Sequence, residues 1–186
     1  MTIGEADVLD QLMDEHRQVQ SLIEQLKVED DPEVARDMAD VLITSLVRHS
    51  VAEEMYVYPV MKEFLPDGEE AVQHDIAEHD QIERLLKDLE GAEVADVQFL
   101  VLISELEAVV VDHVADEEHD QFPKLRMTVP AQRLVDLRAT VRRAEEMAPT
   151  RAHPSAPHSE LFHKVVGPGV GMVDRLRDAL TGRMTS

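Results

Sequence analysis

Four histidines and two glutamates recur in this chain at matched spacing: His16, His49 and Glu53, then His79, His113 and Glu117. His79 follows His16 by 63 residues, and His113 follows His49 by 64. Imidazole nitrogen and carboxylate oxygen together suit iron, manganese or zinc. The sequence has no cysteine, which excludes thiolate zinc sites, iron–sulfur clusters, disulfide frameworks and cysteine nucleophiles. Any metal must be held by imidazole and carboxylate.

The spacing places these groups together. Residues four apart on a helix project to the same side, about 6 Å apart along the axis. His49 and Glu53 therefore share a face, as do His113 and Glu117. A single His-x-x-x-Glu usually marks a surface pair. Here both copies fall on apolar stripes, and each is preceded by a stripe histidine. Two glutamates buried among neutral imidazoles have no cationic side chain beside them, and a metal ion supplies the missing charge. A carboxylate can bridge two ions while each imidazole gives a terminal nitrogen, so two matched sets favour a dinuclear site.

Helices must carry these residues. A first helix over residues 5–27 aligns Leu9, Leu12, His16, Val19, Ile23 and Leu26. A second, from Pro32 to the break at Pro66-Asp67-Gly68, aligns Leu42, Leu46, His49, Glu53, Tyr56 and Val60, with Pro59 as a bend. A third over residues 69–89 carries Val72, Asp75, His79, Ile82, Leu86 and Leu89, with Gly91 as its cap. A fourth over residues 95–121 carries Leu102, Leu106, Val110, His113 and Glu117, and Pro123 lies at its end. Leu134, Leu137 and Val141 predict a shorter fifth helix over residues 130–147.

The repeat extends beyond the ligands. Glu15-His16-Arg17-Gln18-Val19 matches Glu78-His79-Asp80-Gln81-Ile82, and both halves share His-x-x-x-Glu-Glu-x-x-x-aromatic-Pro. A helical hairpin has been duplicated. Two such hairpins predict an all-α, antiparallel up-down four-helix bundle over residues 1–147. Residues 148–186 then form an irregular Pro/Gly-rich tail. A short helix over residues 172–180 within it offers Val173, Leu176 and Leu180 for docking, while His153, His158 and His163 are solvent-exposed.

Composition agrees. A chain of 186 residues with 44% hydrophobic and only 3% aromatic content suits one helical domain better than a β-sandwich. A formal charge of −21 disfavours nucleic acid and anionic membranes as partners. The acidic start lacks the features of a signal peptide, and no apolar run approaches a membrane span, which predicts a cytoplasmic protein.

Over residues 7–123 this pattern resembles the hemerythrin-like, or HHE cation-binding, family, and the Pro-rich start and Gly-Pro-Gly of the tail resemble its actinobacterial type. The resemblance implies two iron ions with an oxo or hydroxo bridge. Glu53 and Glu117 would be bridging carboxylates, and His16, His49, His79 and His113 terminal ligands. Oxygen-carrying members have a fifth histidine one turn before the third-helix histidine; here that position is Asp75. Asp75 is thus a candidate seventh ligand or a neighbour of the ligands, and His74 ranks below it because it points off the stripe.

Several residues stand near these positions. Tyr56, three residues after Glu53, is the candidate catalytic group, redox-active or ligating; the alternative is a core tyrosine with a bonded hydroxyl. Its repeat partner Asp120 is expected to face inward and meet it. Tyr58 and Phe122 read as packing residues at the hairpin ends. Glu54 and Glu118 read as surface groups or as partners that orient imidazole N–H bonds. His119 reads as exposed, and Glu15 and Glu78 as solvated helix-face charges.

The expected function is a non-haem diiron protein that binds or reacts with oxygen, hydrogen peroxide or nitric oxide. Catalase- or peroxidase-like activity in oxidative or nitrosative stress fits such a site. The alternative is an iron- or oxygen-sensing module without turnover that signals to a protein partner through its tail. A third reading is a structural zinc or manganese site.

Overall fold

The computed structural model of the chain describes residues 5–148. The tail, with its expected helix and its three histidines, lies outside the described residues. The described chain is an all-helical bundle. Helix α1 spans Val8–Leu26, α2 Pro32–Ala52, α3 Tyr58–Phe64, α4 Gly68–Gly91, α5 Val97–Asp116, α6 Phe122–Thr128 and α7 Ala131–Met147. Two π-helical turns, Glu53–Val57 and Glu117–Gln121, join α2 to α3 and α5 to α6.

Local sequence sets the helix starts. Asp7 caps α1 by accepting from the Asp10 N–H, while the Asp10 carboxylate accepts from the Asp7 N–H. Asp31 caps α2 by accepting from the Glu33 and Val34 N–H groups, with Pro32 as the first residue. Between α3 and α4 the chain turns so tightly that a Cβ on Gly68 would lie 2.2 Å from the Met61 carbonyl oxygen. Only glycine fits there.

The second and fourth helices depart from the expected straight runs. Proline has no N–H, and its ring crowds the carbonyl four residues back. Pro59 and Pro123 are each the second residue after a π turn, where the backbone has widened. The Tyr58 N–H bonds to the Glu53 carbonyl and the Phe122 N–H to the Glu117 carbonyl, both spanning five residues. The fourth helical run does not end at Pro123; it continues as α6 to Thr128.

The apolar stripes pack into two clusters with a polar layer between them. One cluster joins α1, α2, α4 and α5 through Ile23, Leu42, Leu86, Ile103 and Leu106. The other joins α1, α3, α6 and α7 through Leu9, Leu12, Met61, Phe122, Leu134 and Val141. The fifth long helix, α7, buries Leu134 and Val141 as expected, with Leu137 half-buried. Among the described residues, no helix is long and apolar enough to cross a membrane.

Candidate metal centre

The polar layer contains all six repeat residues. His16 is 3% exposed, His49 5%, His79 1%, His113 3%, and Glu53 and Glu117 are fully buried. The imidazoles meet in pairs, edge to edge. His16 Nε2 lies 3.1 Å from His49 Nε2, and His79 Nε2 lies 3.3 Å from His113 Nε2.

The outer nitrogens decide what the inner ones carry. His16 Nδ1 lies 2.9 Å from Glu118, His49 Nδ1 2.8 Å from Glu15, His79 Nδ1 3.1 Å from Glu54 and His113 Nδ1 3.0 Å from Glu78. A carboxylate accepts a hydrogen bond, so each ring donates its Nδ1–H outward and, when neutral, presents a lone pair inward. Two facing lone pairs near 3 Å repel unless a cation or proton lies between them. The Glu53 and Glu117 oxygens share this need: none of the four has a hydrogen-bond partner. The nearest ring nitrogens stand 3.2 to 3.7 Å from them, at His16, His49, His79 and His113.

The electrostatics show the same frustration. Burial pushes the Glu53 carboxyl well above the usual range, and the charge of Glu117 pushes it further. Burial also opposes the charge on Glu117, but His113 and His16 outweigh it and hold that carboxyl down at about 2. Burial pulls His49 down, but Glu53 and then Glu15 outweigh it and raise the imidazole to about 9. Two buried carboxylates without donors, beside imidazole lone pairs already oriented inward, fit divalent cations. Within 4.8 Å of one another lie ligand atoms of His16, His49, Glu53 and Glu117, and separately of Glu53, His79 and His113.

The carboxylates behind the rings follow the repeat. Glu15 and Glu78 each precede a helix histidine, yet each serves the histidine of the next helix. Glu54 and Glu118 each follow a π-turn glutamate and reach across to the other half. Glu15 and Glu78 are therefore not solvated charges: Glu78 is 9% exposed, and both are engaged by buried rings. The repeated Glu-His dipeptide was the available signal. Reading it correctly required knowing which helix lies beside which.

The π turns also change the tyrosine that faces the site. The added residue brings Tyr58 beneath Glu53, and its hydroxyl lies 3.2 Å from His79 Nε2. Burial raises the Tyr58 phenol, and the charges of Glu53 and Glu117 raise it further, so it stays protonated. Tyr56 is half-buried against the second apolar cluster. Asp120 is exposed and pairs with Lys124 at 2.7 Å, so it does not face inward to meet Tyr56. Phe122, the repeat partner of Tyr58, stacks on His16 with ring centroids 6.0 Å apart.

Asp75 is fully buried on α4. One oxygen accepts from Gln121 Nε2 at 2.9 Å, and the other has no hydrogen-bond partner. Burial and the charge of Glu117 raise this carboxyl to about 6. His74 is exposed and bridges Glu78 and Asp116, at 3.4 and 3.3 Å. His119 is exposed and bonds the Ala115 carbonyl of its own turn.

A helical bundle with a buried cage of imidazoles and carboxylates defines a cation-binding class. Residues 7–125 match the Hemerythrin HHE cation binding domain model, and the chain belongs to that family. It is 28% identical over 174 residues to an uncharacterized hemerythrin-like protein of Schizosaccharomyces pombe, covering 93% of this chain and 86% of that protein. It is 26% identical over 120 residues to a protein of Nostoc sp. described as a DNA nickase, covering 64% of this chain and 34% of that one. The crystal structure of a hemerythrin HHE cation binding domain-containing protein from Mycobacterium kansasii shares the fold, with a TM-score of 0.65 and 18% identity over 76% of this chain and 86% of that one.

Proposed function

We propose that the chain is a non-haem diiron protein that binds or reacts with small oxidants such as oxygen, hydrogen peroxide or nitric oxide. His16 and His49 would hold one ion and His79 and His113 the other, with Glu53 and Glu117 supplying carboxylate oxygens. The carrying observation is the set of four imidazoles whose Nδ1 atoms are all held by carboxylates, which turns their Nε2 atoms toward two carboxylates with no hydrogen-bond donor.

When bound, iron supplies one-electron redox chemistry and open positions for small ligands. The protein's own residues do the rest. Glu15, Glu54, Glu78 and Glu118 orient the rings and raise their basicity. Val19, Leu46, Ile82, Val110 and Val114 line a gap of about 10 Å³ against the four imidazoles. That is close to the volume needed for one water-sized molecule. Its apolar wall favours uncharged guests and excludes bulk water. Tyr58 offers a protonated hydroxyl beside His79, and Asp75 offers a buried oxygen with no donor.

The test is reconstitution with ferrous iron under argon, followed by separate exposure to oxygen, peroxide and nitric oxide. A new visible absorption with at least one of the three is expected. An unchanged spectrum with all three overturns the reading.

A further inference from the structure

The second hairpin carries a group of metal-ligating side chains on its surface, outside the cage. His74 and Glu78 stand about one turn apart on α4, and Asp116 is the last residue of the adjacent α5. His74 Nε2 lies 3.4 Å from Glu78 Oε1 and 3.3 Å from Asp116 Oδ2, and the three ligand atoms lie within 4.8 Å of one another. His74 and Asp116 are open to solvent, while Glu78 is largely buried. The other oxygen of Glu78, Oε2, accepts from His113 Nδ1 at 3.0 Å.

The duplicated hairpin supplies its own comparison. At the offsets of 63 and 64 residues, His74, Glu78 and Asp116 correspond to Gln11, Glu15 and Ala52. Glu15 is disposed as Glu78 is: Oε2 serves His49, and Oε1 accepts from Gln11 Nε2 at 2.9 Å. The same Gln11 amide reaches Glu145 of α7 at 3.2 Å, so an amide and a crossing helix close that position. In the second half an imidazole stands in place of the amide and a carboxylate in place of a methyl group, and both face solvent. The two halves thus differ here by two added metal-ligating side chains around the same glutamate.

The distances suit a cation better than a proton. Charge-assisted N–H···O bonds run about 2.7 to 2.9 Å, shorter than both contacts of His74. Ligand atoms held tetrahedrally at about 2.1 Å from an ion lie about 3.4 Å apart. Among the described residues, no lysine or arginine pairs with Glu78 or Asp116, in a chain of formal charge −21. We propose that His74, Glu78 and Asp116 bind one divalent transition-metal ion such as zinc at the surface, with water completing its shell. The site shares only Glu78 with the cage: one oxygen takes the outer ion and the other holds His113. The inference does not depend on which metal the cage holds or what that metal reacts with.

Counting zinc on the full chain tests it. Metal-free protein is dialysed against zinc in excess magnesium, which occupies acidic surface but prefers oxygen to imidazole. Bound zinc is then measured by atomic emission. The parent should retain one more zinc per chain than the double variant His74→Ala, Asp116→Asn, with unchanged helical circular dichroism. His119→Ala removes another exposed imidazole of the same hairpin and should match the parent. Zinc taken up by the cage is common to all three proteins, so failure of the two-iron reading leaves the comparison intact. Equal counts in the parent and the double variant overturn the proposal and leave His74 as an ion-pair partner only. Loss of the same zinc in His119→Ala overturns it too, as does loss of more than one zinc in the double variant, which would place the effect in the cage.

Discussion

Removing the carboxylate behind a single imidazole tests whether the outer ring of glutamates belongs to the metal site. Glu15 Oε2 lies 2.8 Å from His49 Nδ1, and Glu78 Oε2 lies 3.0 Å from His113 Nδ1. A hydrogen bond to a charged group contributes about 1.5 to 3 kcal/mol. At about 1.4 kcal/mol per factor of ten, Glu15→Ala or Glu78→Ala should weaken metal binding roughly 10- to 100-fold. The two glutamates serve different histidine pairs. Each variant should therefore weaken one of two ion positions and turn a competitive chelator titration biphasic. Glu15→Gln keeps an oxygen that can accept from Nδ1 and should recover part of the loss. Asp14→Ala, at an exposed neighbour, is the control. If both alanine variants bind metal within twofold of the parent, the ring of glutamates is mere surface charge and the reasoning fails.

Other perturbations follow from the same geometry. Tyr58→Phe should shift the visible spectrum of the iron-loaded protein and Tyr56→Phe should not; the reverse would return the functional role to Tyr56. Gly68→Ala forces a Cβ to 2.2 Å from the Met61 carbonyl and should destabilise the fold by about 1 to 3 kcal/mol, read as a lower denaturant midpoint. The metal-free protein should lose stability as pH rises from 6.5 through about 9. The His49 imidazole, raised to about 9, contributes fully below its unfolded value and loses that contribution as it deprotonates. Glu145, pushed up to about 8 mainly by burial and by Glu15, acts in the same direction because its ionisation is costlier in the folded state. A thermal midpoint that rises across this window would contradict both assignments.

The bundle was legible because the apolar stripes and the duplicated motif agree at every level. Leu9, Leu12, His16, Val19, Ile23 and Leu26 are all buried, as the spacing requires. The six repeat residues were legible because residues four apart share a face. What failed was register after Glu53 and Glu117. Straight α-helical spacing places Tyr56 and Asp120 inward, whereas the π turns before Pro59 and Pro123 substitute Tyr58 and Phe122. The motif ends in aromatic-Pro in both halves, so the cause was visible although its consequence was not. Glu15 and Glu78 were misread because their partners lie on neighbouring helices, about 34 residues away in sequence, beyond any local pattern.

Metal stoichiometry together with the visible spectrum decides whether the cage holds two irons. Protein reconstituted with ferrous iron, oxidised and freed of excess metal should hold two iron atoms per chain. It should also show ferric charge-transfer absorption that disappears in the Glu53→Ala, Glu117→Ala variant. One iron or fewer per chain, or two irons retained by that variant, would contradict the account.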